Sequence, residues 1–215
     1  MAKSFWIILQ HNSKNSFSIN YIEFRIPVIK KLMKEKRIYL TGFMTSGKST
    51  IGPILANVLG MEFYDLDKVI ENEEKQTIVE IFEKKGETYF RELEFGILKN
   101  LSEREGVVIS LGGGTLTNST NYDLLKSTGK IIYLKVSPNN LYKRLKNKID
   151  RPLFRDLVLG EKNEEDFLER IKELLEKRRV YYEKADLIIE TDLQPIGRTV
   201  DKIAKRISVM LNEKN

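Results

Sequence analysis

Two glycines, a lysine and a serine at fixed spacing are the first residues in this chain able to do chemistry. Gly42-Phe43-Met44-Thr45-Ser46-Gly47-Lys48-Ser49-Thr50 satisfies the pattern G-x-x-x-x-G-K-[S/T]. Gly42 and Gly47 permit backbone angles that a Cβ opposes, so successive amide N–H groups can turn inward around an anion. A helix opening at Lys48 adds unpaired amides and the positive end of its dipole. Lys48 brings a mobile charge for the β and γ phosphates of a nucleotide, and the Ser49 hydroxyl is a hard oxygen donor suited to magnesium. Thr45, Ser46, Gly47, Lys48, Ser49 and Thr50 therefore form a candidate ATP site. A glycine turn that only reversed the chain would need the lysine and serine in register by accident.

Three further groups lie downstream. Asp65-Leu66-Asp67 follows a predicted strand. On extended chain the two carboxylates would point the same way, one toward a metal, directly or through water, and the other toward an acceptor hydroxyl, although acidic pairs also cap helices. Arg91 and Glu94 stand three apart on a predicted helix, so Glu94 can pin the guanidinium; in isolation the two would read as a surface ion pair. Gly112, Gly113 and Gly114 end a predicted strand without side chains, which lets a ligand rest on backbone amides, or else forms a loose turn. The chain has no cysteine and a single histidine, His11, which excludes disulfides, thiolate metal sites, a cysteine nucleophile and a histidine triad.

The elements that must carry these residues alternate. Short β-branched runs at Arg37 to Thr41, Glu62 to Asp65, Gly106 to Leu111, Lys130 to Val136 and Asp186 to Thr191 read as strands. Helical patterns begin near Lys48, near Thr77, where Glu80 completes a capping box, and again after Gly86; others run from Glu164 to Tyr182 and from Pro195 onward. Ile196, Val200, Ile203, Ile207 and Met210 make a core stripe on the last helix. This is the α/β form of a parallel sheet covered by helices, and 215 residues suit one domain.

The net charge is +6, but residues 1–32 carry five basic residues against one acid, leaving +2 for the rest. So balanced a body argues against nucleic-acid binding. Residues 1–32 show no capped helix or hairpin and read as a mis-assigned start, a disordered or β-prone tail, or a transit peptide, the last being poor in arginine for its type. No apolar run approaches the ~20 residues of a membrane span, so no membrane is expected as a partner.

Ile81-Phe82-Glu83-Lys84-Lys85-Gly86-Glu87-Thr88-Tyr89-Phe90-Arg91-Glu92-Leu93-Glu94, followed by Ser110-Leu111-Gly112-Gly113-Gly114, joins the phosphate loop and the acidic pair in one ordered pattern. That pattern resembles the shikimate kinase family over about residues 36–211. The resemblance implies a three-layer α/β/α P-loop kinase fold with a five-stranded parallel sheet and a lid at about 146–163, within a domain of residues 33–215. Helices at about 68–104 would bind substrate. It implies transfer of the ATP γ-phosphate to the 3-hydroxyl of shikimate, with Mg2+, in a cytoplasmic monomer. Asp67, Arg91, Glu94, Gly112, Gly113, Gly114 and Arg178 would bind shikimate, with Asp67 as base or orienting group and Arg91 and Arg178 on the carboxylate. Lys48 and Arg151 would act on the transferred phosphate, and Arg144 and Gln194 at the adenine end; Arg144 and Arg151 also fit a plain basic loop. Ser49 and Asp65 would serve the metal. The chain departs from the family at Thr45, where a smaller residue is usual, and at Val180, which replaces a proline. A kinase for another polyol acid such as gluconate, and a non-catalytic nucleotide-binding relative, are the competing expectations.

Overall fold

The computed structural model describes residues 36–147, 154, 157, 160, 163–192 and 194–212. Among these, five strands form one parallel sheet: β1 (Arg37–Thr41), β2 (Glu62–Asp65), β3 (Val107–Ser110), β4 (Lys130–Lys135) and β5 (Leu187–Glu190), in the order β2-β3-β1-β4-β5. Parallel neighbours need crossovers rather than hairpins, and helices supply them. They are α1 (Lys48–Leu59), α2 (Leu66–Glu74), α3 (Ile78–Glu103), α4 (Ser119–Thr128), α5 (Pro138–Leu145), α6 (Glu164–Tyr182) and α7 (Ile196–Asn212).

The strands are apolar on both faces because both faces are covered. Ile38, Leu40, Val108, Ile132 and Leu134 pack on one side against Ile51, Leu55 and Leu59 of α1 and Val200, Ile203 and Ile207 of α7. Tyr39, Ile109, Ile131 and Tyr133 face the other side, against Ile70 of α2, Phe90, Ile97 and Leu98 of α3 and Leu125 of α4. The result is the three-layer arrangement expected from the sequence. A smaller cluster of Phe43, Val136, Leu141, Leu145, Phe154, Phe167 and Ile171 joins α5 and α6 to the chain just beyond β1.

Three helices escape the apolar periodicity of the sequence: α2, opened by its cap Asp65, and two more. Of these, α4 is set by Asn118, whose side chain accepts from the amides of Thr120 and Asn121. In α5 it is Ser137 that caps, followed by Pro138 in the first turn, a start signal that is local rather than periodic. The capping box of α3 is present: Thr77 Oγ1 accepts from Glu80 N at 3.2 Å and Glu80 Oε2 accepts from Thr77 N at 2.9 Å. Gly86, at φ 82° and ψ 172°, breaks α3 into two helical segments. The break lets the second segment, bearing Arg91 and Glu94, take its own direction over the sheet.

The register brings the chemistry to one rim. Leu40 pairs with Ser110, and Asp65 with the same Ser110, so β1, β2 and β3 end side by side. The loop after β1, the acidic pair after β2 and the glycines after β3 therefore share the carboxyl edge of the sheet, where open parallel sheets bind ligands.

Candidate active site

The rim divides into a nucleotide end and an acceptor end. At the first, Gly42 (φ 145°), Thr45 (φ 59°) and Gly47 (φ 105°) curl the chain between β1 and α1. A Cβ on Gly42 would sit 2.7 Å from the Leu134 carbonyl oxygen, so this position needs glycine for space as well as for angle. Thr45 is the exception, because a β-branched residue in the left-handed region costs on the order of 1–3 kcal/mol. Its carbonyl accepts from Arg144 Nη1 at 3.0 Å, while its hydroxyl and that of Ser46 are buried without a protein partner. Lys48 folds back over the loop, donating to the carbonyls of Gly42 at 2.8 Å and Phe43 at 3.0 Å. The first amides of α1, with Thr50 in its opening turn, cap a concave, amide-lined cradle of the kind that holds phosphate.

Ser49 Oγ donates to Asp65 Oδ2 at 3.1 Å, while Asp65 Oδ1 accepts from Lys68 N at 3.4 Å and caps α2. The acidic pair does not lie on extended chain: with Asp65 as the cap, Leu66 already opens α2, and Asp67 sits in its first turn. Asp67 is turned instead to the glycine run, and a Cβ on Gly112 would lie 2.9 Å from its Oδ1. Burial, then the neighbouring Asp65 charge, lift the Asp67 carboxyl from 3.8 to about 6, against the pull of Lys48.

Each glycine of the run faces a different functional side chain. Gly112 faces Asp67, Thr115 and Glu94; a Cβ on Gly113 would lie 3.0 Å from Arg178 Nη1; one on Gly114 would lie 3.4 Å from Arg91 Nη2. The run is bare so that these groups can close on one space. Arg91 Nη1 donates to Glu94 Oε2 at 3.0 Å, and Glu94 is 1% exposed, so this is a built-in pair rather than a surface one. Arg178 stacks over the Phe43 ring at 5.7 Å from α6, which ties the acceptor end to the phosphate loop.

The remaining predicted residues fall elsewhere. Gln194 is exposed just ahead of α7, and Arg151 lies outside the described residues. Two residues that motif reading missed take part. Tyr182 Oη donates to the Gly113 carbonyl at 2.6 Å; it stands one turn beyond Arg178 on α6, a spacing that offered a signal. Thr115 Oγ1 donates to Glu94 Oε1 at 2.7 Å, and nothing in its sequence context announces that bond.

A parallel sheet of this order, an amide cradle with an invading lysine, a serine–aspartate pair, and a half-buried carboxylate and two arginines around one glycine run define a P-loop kinase that phosphorylates a small acidic molecule. The shikimate kinase family pattern matches residues 44–208. A shikimate kinase of Chloroherpeton thalassium is 45% identical over 180 residues, covering 82% of this chain and 94% of that protein. One from Chlorobaculum parvum is 49% identical over 171 residues, covering 79% of this chain and 91% of the relative. Among solved structures, shikimate kinase from Bacteroides thetaiotaomicron superposes with a TM-score of 0.74 at 36% identity, over 80% of this chain and 98% of its own. The Acinetobacter baumannii enzyme in complex with shikimate gives 0.71 at 32% identity, over 86% and 98%. The chain belongs to the shikimate kinase family, and it is an ATP-dependent kinase.

Proposed function

We propose that this protein transfers the γ-phosphoryl group of ATP to the 3-hydroxyl of shikimate, releasing ADP and 3-phosphoshikimate. The observation that carries this is the convergence of Asp67, Arg91 and Arg178 on Gly112, Gly113 and Gly114. Arg91 and Arg178 supply planar donors for the carboxylate. Asp67 then faces an acceptor hydroxyl, orients it, and takes its proton as the oxygen bonds to phosphorus and the bond to the β-phosphate oxygen breaks. A carboxyl near 6 is ionised at neutral pH yet basic enough to hold a proton in passing.

At the nucleotide end the loop amides and Lys48 hold the β and γ phosphates. Ser49 and Asp65 offer two hard oxygens, and the described residues contain no cluster of three or more His, Cys, Asp or Glu able to hold a metal. That donor set fits Mg2+, which keeps waters and phosphate oxygens rather than a protein cage; when bound it would neutralise phosphate charge. The same reading assigns Arg151 to the γ-phosphate side, Arg144 and Gln194 to the adenine side, and residues 33–215 to one kinase domain acting as a cytoplasmic monomer. No helix among the described residues is long and apolar enough to cross a membrane.

A coupled ADP-release assay tests the proposal directly. Shikimate-dependent turnover, absent with gluconate, is the expected result; ADP release that ignores shikimate would end it.

A further inference from the structure

Arg91 is held before any ligand arrives. Glu87 Oε1 accepts from its Nε at 3.3 Å and its Nη2 at 3.2 Å, and Glu94 Oε2 accepts from Nη1 at 3.0 Å. A guanidinium has five N–H donors, so one remains on each terminal nitrogen, the number that a bidentate carboxylate takes. The terminal nitrogens face the glycine run: a Cβ on Gly114 would lie 3.4 Å from Nη2 and 3.7 Å from Nη1, nearer than to Cζ at 3.9 Å.

The two carboxylates differ in what holds them. Glu87 is an open side chain at 68% exposure, fixed by little beyond Arg91 itself. Glu94 is buried, and its second oxygen accepts from Thr115 Oγ1 at 2.7 Å. Thr115 is in turn anchored, its carbonyl accepting from Asn121 Nδ2 at 3.1 Å and its amide donating to the Gly112 carbonyl at 3.2 Å. Thr115 and Asn121 are both 0% exposed. A chain of buried polar contacts thus runs from α4 through the turn after β3 to Glu94 and ends on Arg91.

We propose that Thr115 is a positioning residue for acceptor binding, acting through Glu94 to set the Arg91 guanidinium in its receiving geometry. The role needs a donor hydroxyl, because Glu94 as a carboxylate can only accept. Without that hydroxyl Glu94 is free to rotate in its buried site, and Arg91 follows it. The proposal rests on the reading that Arg91 receives the acceptor's carboxylate.

The test uses the full chain and two readouts. In steady-state kinetics, Thr115→Val should raise the shikimate KM about tenfold, the size of a lost charge-assisted hydrogen bond, while kcat and the ATP KM change little. Thr115→Ser should restore the wild-type KM. Side-chain 15N NMR of Arg91, assigned by the signal missing in Arg91→Lys, should show slow Nε–H exchange with water in the wild type and faster exchange in Thr115→Val. If Thr115→Val does not fold, Thr115→Ala removes the same donor with less bulk. An unchanged shikimate KM together with unchanged Arg91 exchange would overturn the positioning role. If the wild type ignores shikimate but Thr115→Val still quickens Arg91 exchange, it is the proposed reaction that fails, while the hold of Thr115 on Arg91 stands.

Discussion

The nucleotide end and the acceptor end of the rim are built from different materials. Backbone makes the first: three residues at positive φ, the carbonyls that Lys48 touches, and the opening amides of α1. Amides and a helix terminus recognise a phosphate wherever it comes from, and they are reached by a short excursion from one strand. The second is made of side chains from α2, α3, α6 and the turn after β3, brought within a few ångströms by packing across the sheet. Its Glu94 is buried and its Asp67, Arg91 and Arg178 are half-buried, and side-chain contacts order the site, as Glu94 holds Arg91 and Tyr182 holds the Gly113 carbonyl. Generic chemistry can sit on local structure, whereas discrimination among acceptors requires tertiary structure.

Removing the charge at the heart of either end should have the largest effects. Lys48→Ala should lower kcat on the order of 10³-fold, and Asp67→Asn on the order of 10²-fold or more, each with an unchanged circular dichroism spectrum. Near-normal turnover in either would erase the division. Next comes separability: Arg178→Ala should raise the shikimate KM by about ten- to a hundredfold and leave the ATP KM near wild type. A parallel rise in both constants would show that Arg178, stacked on Phe43, belongs to both ends.

The pH response should be smaller and confined to the acceptor end. The Asp67 carboxyl is raised to about 6, so its ionised form, the one that accepts a proton, is lost as pH falls through 6. The kcat/KM for shikimate should therefore fall below pH 6. Stability runs the other way: the folded state binds more protons than the unfolded state between 3.8 and about 6, so the Asp67 contribution declines as pH rises through that window. Holding it charged at pH 7.5 costs on the order of 3 kcal/mol, and Asp67→Asn should raise Tm by several degrees. A lower Tm in that variant would contradict the burial argument. Smallest is Gly86→Ala: no atom lies within 4 Å of the added Cβ, but φ 82° with ψ 172° is backbone that essentially glycine alone adopts, so a loss of about 1–3 kcal/mol in denaturant unfolding is expected.

This contrast also explains what the sequence could disclose. The phosphate loop was legible because its requirements are local: glycine where angles demand it, lysine and serine in register. The five strands were legible for a related reason, since parallel strands buried on both faces are nearly unbroken apolar runs. The acidic pair misled as to geometry, because whether chain runs on or turns at Leu66 depends on Asp65 capping Lys68 N, a contact that either reading of the residues allows. Thr115 and Asn121 left no trace at all. Thr115 has its partner in Glu94 on α3, 21 residues away, where no spacing rule reaches, and Asn121 matters only through the Thr115 carbonyl it bonds.

The position of β2 at the margin of the sheet carries a consequence for motion. Among the described residues, strand β1, bearing the phosphate loop, is paired on both sides, whereas β2 is four residues long and pairs with β3 alone. Amides of β1 should be among the last to exchange with deuterium, and those of β2 and α2 among the earlier ones. Fluctuations that loosen the margin would carry Asp67 away from its acceptor while the cradle around Lys48 stays intact. Product and substrate could then exchange at one end without the protein surrendering its grip on nucleotide at the other.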